Sequence, residues 1–138
     1  MIVGSEESFP HYLEQRNYIS HFGFKMAVDD NGTSCVVLPF EKRNLGNSLI
    51  GALHGGVVAL ALETAGYLAL LQNEPPPRAS HIGIAHTTYL TRTRPEVLWA
   101  HARIIRSGAR FVRLEAKAFQ KHGEIAHAML TASRKTSD

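Results

Sequence analysis

The chain has 138 residues, of which 44% are apolar and 20% are charged, a composition typical of one globular domain with its own hydrophobic core. The net charge is +3 with the eight histidines neutral, and the basic residues are not clustered among aromatic ones, which argues against a nucleic-acid-binding protein. The single cysteine, Cys35, excludes an intramolecular disulfide, and we expect it to be a buried strand residue. These features predict a single domain over residues 1–138.

The first half of the chain begins with a predicted amphipathic helix over 8–23, with Ser8 as N-cap and Gly23 as its stop. Two apolar runs, FKMAV and TSCVVLPF, flank DDNG, which is a strong signal for a β-hairpin turn. The segment 41–53 has no clear period and is predicted to be a loop. The next segment, 54–73, is apolar all around, which predicts a helix that is buried on most sides and ends before NEPPPR.

The second half of the chain changes to strand periodicity. Four segments of strand length follow, over 80–90, 96–107, 110–120 and 124–133; SGAR and KHG are tight connections, and the alternation of apolar and polar residues is clearest in the last two strands. One buried helix wrapped by an antiparallel sheet of five or six strands is the α+β hotdog arrangement. The alternative, a ferredoxin-like sandwich, needs a second crossover helix, for which the region after residue 75 has no room.

The first residues, MIVGSEESF, lack the basic and apolar segments of a signal peptide. The only apolar stretch near membrane length, 54–73, contains an acid and three glycines. We therefore expect a cytoplasmic, soluble protein that uses no membrane.

One acid, Glu63, lies in the middle of the predicted helix 54–73. An unpaired carboxylate is costly to bury, and none of its helical neighbours is a cation. Two interpretations remain open at this point. Glu63 either forms an ion pair with a distant residue of the sheet, or it is a functional carboxylate that faces a cleft.

The same helix begins with His54-Gly55-Gly56. Glycines at a helix start allow a ligand close to the backbone, where the first N–H groups have no intrahelical partner and the helix dipole is positive. Such a site can stabilise a carbonyl oxygen that gains negative charge, although the two glycines could also serve close packing alone. His54 and Glu63 are nine residues apart, which is roughly 13 Å of helix rise and about half a turn of net rotation. If both act on one carbonyl, they must come from two copies of the chain, which predicts a homodimer with shared sites.

The stretch GALHGGVVALALE, residues 51–63, resembles the signature of PaaI-like hotdog-fold acyl-CoA thioesterases of the 4-hydroxybenzoyl-CoA thioesterase superfamily. That signature has His-Gly-Gly followed by an acid nine residues after the histidine. The segment from Tyr89 to Phe111 is similar to the later strands of the family, and the resemblance covers roughly residues 20–133.

The resemblance implies roles for individual residues. The Gly55 N–H, next to Gly56, would polarise the thioester carbonyl, and Glu63 of the partner chain would act as general base or nucleophile. His54 would orient the loop or the thioester. The family often has Asn six residues before the histidine. This chain has Ser48 there, with Asn47 beside it, and either could serve.

The sequence departs from the family on the first predicted strand after the helix. Relatives often have Thr or Ser seven residues before the strand tyrosine, where this chain has Ile82, and Ser80 could compensate for it. Further along, a basic turn is a candidate for binding the phosphates of coenzyme A, although it could also be an ordinary solvated hairpin turn. The residues of this turn are Arg106, Ser107, Gly108 and Arg110.

These observations lead to an expected function. The chain is expected to hydrolyse an acyl- or aryl-CoA thioester without a metal or redox cofactor, since coenzyme A is part of the substrate and no closed set of metal ligands is visible. Its expected partner is a second copy, as a homodimer or a homotetramer built from two dimers. The alternatives are a hotdog hydroxyacyl-thioester dehydratase and a non-catalytic acyl-CoA-binding protein.

Overall fold

The computed structural model of the chain describes residues 5–73 and 81–134. Its first part contains strand β1 (Ser5–Glu7), helices α1 (His11–Glu14) and α2 (Asn17–Phe22), strands β2 (Lys25–Val28) and β3 (Ser34–Leu38), a 3₁₀ turn (Lys42–Asn44) and the short strands β4 (Leu45–Asn47) and β5 (Ala52–Leu53). Its second part contains helix α3 (Gly55–Asn73) and the strands β6 (His81–Tyr89), β7 (Leu98–Ser107), β8 (Phe111–Gln120) and β9 (Gly123–Ser133).

Seven of the strands form one antiparallel sheet in the order β1-β2-β3-β7-β8-β9-β6, and α3 packs across one face of it. This confirms the predicted α+β hotdog arrangement. The sheet has seven strands rather than five or six because the segment at Ser5–Glu7 pairs with β2 as an additional edge strand. Within the described residues no second helix of the length of α3 crosses the sheet, so the ferredoxin-like alternative does not apply.

The covered face of the sheet is lined by small and medium side chains. Val112, Leu114, Ala116 and Ala118 on β8 oppose alanines and a leucine on β9, and all of these side chains are fully buried. The helix lies close to this surface at Gly66, where a Cβ atom would lie 2.5 Å from the Leu130 Cδ1 atom. By length and mean hydropathy (1.4), α3 could cross a membrane, but 56% of it is buried in the fold, as expected for a core helix.

The N-terminal helix differs from its prediction. The segment 8–23 forms two short helices instead of one, because Arg16 has an extended backbone with φ −76° and ψ 125°. On one straight helix Leu13 and Ile19 would point about 120° apart, whereas the break lets both side chains reach the core. The residue before α1 is Pro10 rather than Ser8, which is exposed, while Gly23 ends α2 in the left-handed conformation as predicted.

The segment 41–53, predicted to be a loop, contains the 3₁₀ turn and the β4–β5 pair. It makes individual close contacts rather than a periodic face, so its sequence has no period. A Cβ at Gly46 would lie 2.9 Å from the His54 Cα atom, and a Cβ at Gly51 would lie 3.0 Å from Pro95 Cδ. The Asn44 carbonyl accepts the His54 N–H at 2.8 Å. This segment therefore fixes the position at which α3 begins.

Candidate functional site

The first turn of α3 leaves one backbone donor free. The N–H groups of Val57 and Val58 donate to the His54 carbonyl, and the Gly56 N–H donates to the His54 Nδ1 atom at 2.9 Å. The Gly55 N–H has no acceptor among the described residues. Because the positive end of the helix dipole lies at the same place, this N–H is suited to bind an oxygen that carries negative charge.

His54 acts as the cap of this helix. Its Nδ1 atom accepts a hydrogen bond, so the geometry assigns the proton of the neutral ring to Nε2. A Cβ at Gly56 would lie 3.1 Å from the same Nδ1 atom, so glycine at this position leaves room for the ring. The two glycines thus have different tasks: Gly56 accommodates the cap, and Gly55 presents the free donor.

Tyr89, at the end of β6, holds the other side of the helix start. Its hydroxyl donates to the Gly55 carbonyl at 2.8 Å. In the sequence Tyr89 served only as a landmark, and this contact was not predicted. The available signal was an aromatic residue with a hydroxyl at a strand end, and the partner, 34 residues away, could not be read from the sequence.

A cavity of about 280 Å³ opens beside Gly55. Its walls are mostly apolar and come from the start of α3, from β5 and from the segment that follows β6. The lining residues are Ala52, Leu53, Gly55, Val58, Tyr89, Leu90, Thr91, Arg92, Thr93 and Ile125. The free Gly55 N–H therefore lies at a concave, largely apolar site of the kind that binds small molecules.

Glu63 lies half-buried on α3, about 12 Å of helix rise from Gly55. It forms no ion pair with any residue in 5–73 or 81–134, which leaves the ion-pair interpretation without a partner there. Burial raises the pKa of Tyr18, and the negative charge of Glu63 adds to that rise, so the Tyr18 hydroxyl lies within electrostatic reach of the carboxylate. One turn later, the Tyr67 hydroxyl accepts the Ile82 N–H at 3.1 Å. Tyr67 lies one turn after Glu63 on the same face of α3, and it is this residue that contacts the beginning of β6.

Neither Asn47 nor Ser48 hydrogen-bonds to Gly55 in the described part of the chain. Asn47 is exposed, and its Oδ1 atom accepts the Leu49 N–H at 3.1 Å, while Ser48 is exposed at the same turn. Asn44, for which no role was predicted, is buried and links the His54 N–H to the Phe22 carbonyl. An asparagine in a segment without periodicity gave no signal for this role.

Of the two residues singled out at the start of β6, only Ile82 is described by the structure. Ser80 lies outside the described residues. Ile82 is buried against α3, and its N–H is bonded to Tyr67. Ile82 therefore contributes packing at this position.

The basic turn lies at the opposite end of the sheet from Gly55 within one chain. Phe111 and His81 both pair with Ser133, whereas Tyr89 pairs with Ala126 near the other end of β9. Arg134 holds the turn, because its side chain donates to the Ser107 Oγ atom and to the Gly108 carbonyl. Both arginines of the turn, Arg106 and Arg110, are exposed.

Two further groups bear on the chemistry. Burial raises the pKa of the Cys35 thiol to about 11, which makes it a poor nucleophile at neutral pH, and it is half-buried in its strand. In the part of the chain that the structure describes, no three side chains of His, Cys, Asp or Glu are grouped as metal ligands.

Comparisons with known proteins agree with this architecture. Residues 46–133 match the family model for the acyl-CoA thioesterase N-terminal domain. No curated protein matches the chain significantly. The fold is similar to that of solved structures, which include a protein of Bacillus halodurans with CoA (21% identity over 92% of this chain and 86% of that one, TM-score 0.78) and a thioesterase of Haemophilus influenzae (20% identity over 94% and 93%, TM-score 0.79). A protein of Chromobacterium violaceum is 25% identical over 94% of this chain and 91% of that one, with a TM-score of 0.73.

Proposed function

The chain belongs to the acyl-CoA thioesterase family, and from this premise we propose that it hydrolyses an acyl- or aryl-CoA thioester to the free acid and coenzyme A. In the proposed reaction the oxygen of water bonds to the thioester carbon, the carbon–sulfur bond breaks, and a proton passes to the leaving thiolate. The similar protein of Bacillus halodurans was solved with CoA, which supports a coenzyme A thioester as the substrate.

The observation that carries the proposal is the free N–H of Gly55 at the mouth of the apolar cavity. A thioester carbonyl that binds there gains negative charge on its oxygen as water attacks, and a preorganised donor stabilises that charge. His54 supports the donor by capping the neighbouring N–H, and Tyr89 supports it by holding the Gly55 carbonyl.

The second chemical group in the proposal is Glu63 of a partner chain, acting as general base or nucleophile. Gly55 is tied to Tyr89 at the end of β6, whereas Tyr67, one turn after Glu63 on α3, is bonded to the beginning of β6. The β6 strand is also the outermost strand of the sheet, and no described strand pairs with its outer edge. If two β6 strands pair in antiparallel fashion, the beginning of one lies beside the end of the other. That pairing would bring Glu63 of one chain toward Gly55 of the other.

Several side chains on and after β6 support such a homodimer. Ile84, Tyr89 and Leu90 are large, apolar and about half exposed or more. An unpaired strand edge that carries such side chains favours association with another chain. The same pairing would move the basic turn of the partner, with its Arg106 and Arg110, to the Gly55 end of this chain. Asn47 and Ser48, exposed beside the helix start, would then be available to the substrate or the partner. Two such dimers could associate further into a tetramer.

A panel of acyl-CoA thioesters with aliphatic, 2-enoyl and aromatic acyl groups tests the proposed reaction. Release of a free thiol, detected with a chromogenic disulfide, is the expected result. Loss of 2-enoyl absorbance without thiol release would identify a dehydratase instead. Saturable binding of the thioesters without any turnover would identify a non-catalytic acyl-CoA-binding protein.

A further inference from the structure

A second, larger cavity adjoins the one beside Gly55. Its volume is about 510 Å³, and its lining residues are Ile50, Thr91, Arg92, Thr93, Arg94 and His122. The two cavities share Thr91, Arg92 and Thr93. They therefore follow one another along the segment after β6, so a single extended molecule can occupy both.

The second cavity carries positive charge that the protein does not neutralise. Arg92 and Arg94 are exposed, and neither forms an ion pair with a residue that the structure describes. His122 is mostly buried, and neither of its ring nitrogens has a hydrogen-bond partner within the described chain. Its Nδ1 atom lies 3.7 Å from the Glu96 Oε1 atom. Apart from Glu96, the described residues supply no carboxylate at ion-pair distance from Arg92, Arg94 or His122.

The backbone that carries the two arginines is fixed in place. The Leu53 N–H donates to the Thr93 Oγ1 atom at 2.7 Å. The buried Gln120 side chain accepts the Arg94 N–H and donates to the Arg94 carbonyl, both at 2.9 Å. Only the arginine side chains need to be ordered when a ligand binds, which lowers the entropic cost of binding.

We propose that this second cavity binds the phosphate groups of the coenzyme A portion of the substrate, through Arg92 and Arg94. The inference rests on the proposed thioesterase function and extends it to a site different from the basic turn at Arg106–Arg110. Guanidinium groups bind phosphate oxygens with paired hydrogen bonds. A phosphate that enters here would place the rest of the thioester along the shared wall toward the Gly55 N–H.

The test compares three thioesters of one acyl group, carried by pantetheine, by 4′-phosphopantetheine and by coenzyme A. The variant is the double substitution Arg92→Gln/Arg94→Gln. The matched control is Arg103→Gln/Arg113→Gln, which removes the same charge from two exposed arginines on β7 and β8 that line neither cavity. For the coenzyme A thioester, kcat/KM of the variant should fall by about 10- to 100-fold, mainly through KM, as expected for lost charge-assisted hydrogen bonds. The pantetheine thioester should change by less than about twofold, and its comparison with 4′-phosphopantetheine shows which phosphate is bound.

Several results would overturn the inference. An equal loss for all three carriers would mean that the arginines support the structure of the site rather than a phosphate. An unchanged kcat/KM for the coenzyme A thioester would exclude the contact. A loss that appears on pantetheine only when the acyl group ends in a carboxylate, such as glutaryl against butyryl, would assign the arginines to the acyl group instead.

The failure of this inference can be told apart from the failure of the proposed function. If the wild-type protein hydrolyses no thioester, titration calorimetry with free coenzyme A on the same two double variants decides the matter. Weaker binding in Arg92→Gln/Arg94→Gln alone would keep the phosphate site and refute the hydrolase. Equal binding in both variants would refute the phosphate site.

Discussion

At Glu63 a single carboxylate interrupts an apolar helix, half-buried and without an ion-pair partner in the described part of the chain. A charge at such a position costs folding free energy, which a structural role would offset through a nearby cation. On α2, Tyr18 is close enough for the Glu63 charge to add to the rise of its pKa, and Tyr67, one turn after Glu63, is bonded to the edge strand β6. The arrangement favours a carboxylate that acts on something the partner chain supplies.

The substitution Glu63→Gln keeps the size of the side chain and removes its charge. We expect kcat to fall by at least ~10²-fold, because a general base or nucleophile is lost. The melting temperature should not fall, since a neutral amide is cheaper to bury. The control is Glu14→Gln, an exposed carboxylate on α1, which should leave kcat unchanged. Turnover close to that of the wild type in Glu63→Gln would remove Glu63 from the mechanism, and a failure to fold would favour a structural ion pair.

The substitution Gly55→Pro tests the free backbone donor directly. Proline has no N–H and is tolerated in the first turn of a helix, although it restricts the preceding His54. Loss of one oxyanion donor typically lowers kcat by about 10²–10³-fold. Gly55→Ala, which keeps the N–H, is the control, because a Cβ there lies no closer than 3.5 Å to the Tyr89 hydroxyl. Folded Gly55→Pro protein with an unchanged kcat would show that another group binds the oxygen.

At the scale of elements, the long strands and α3 could be predicted because their patterns are local. On β8 and β9, apolar and polar residues alternate in the sequence as buried and less buried residues alternate in the structure. The residue types His-Gly-Gly mark the start of α3 without any distant contact. The break at Arg16 could not be predicted, because it depends on how Leu13 and Ile19 both reach a core built from distant strands. The contact between Tyr89 and Gly55 was missed for the same reason, since it forms only when β6 closes against α3.

The segment 41–53 is the element that connects the core to the helix start, and Gly46 is its closest contact. A Cβ there would lie 2.9 Å from the His54 Cα atom, which is backbone and must move to make room. We expect Gly46→Ala to lower kcat by roughly 10-fold, since displacements below 1 Å at a reacting centre already reduce rates. The control is Gly32→Ala in the β2–β3 turn, where an added Cβ meets nothing within 4 Å and the positive φ of 80° affects stability rather than the site. Equal kinetics for the two variants would show that the position of His54 tolerates this shift.

At the scale of the whole molecule, the two ends of β6 carry different parts of the proposed site. Gly55 is tied to one end through Tyr89, and Tyr67, one turn after Glu63, is bonded to Ile82 at the other end. Within one chain Gly55 and Glu63 are far apart. A two-fold axis across the β6 edge would bring Gly55 of each chain toward Glu63 of the other. The nine-residue spacing in the sequence pointed to two copies but could not indicate which edge joins them.

Mixed dimers test whether the two groups come from different chains. In the proposed assembly, a dimer of one Gly55→Pro chain and one Glu63→Gln chain has one site with both defects and one site with neither. Random exchange makes about half of the dimers mixed, so mixing two inactive variants should restore about a quarter of wild-type activity if the two sites are independent. If both groups came from one chain, each site would keep one defect and no activity would return. Native mass spectrometry measures the fraction of mixed dimers, and their presence without any recovery would refute the shared site.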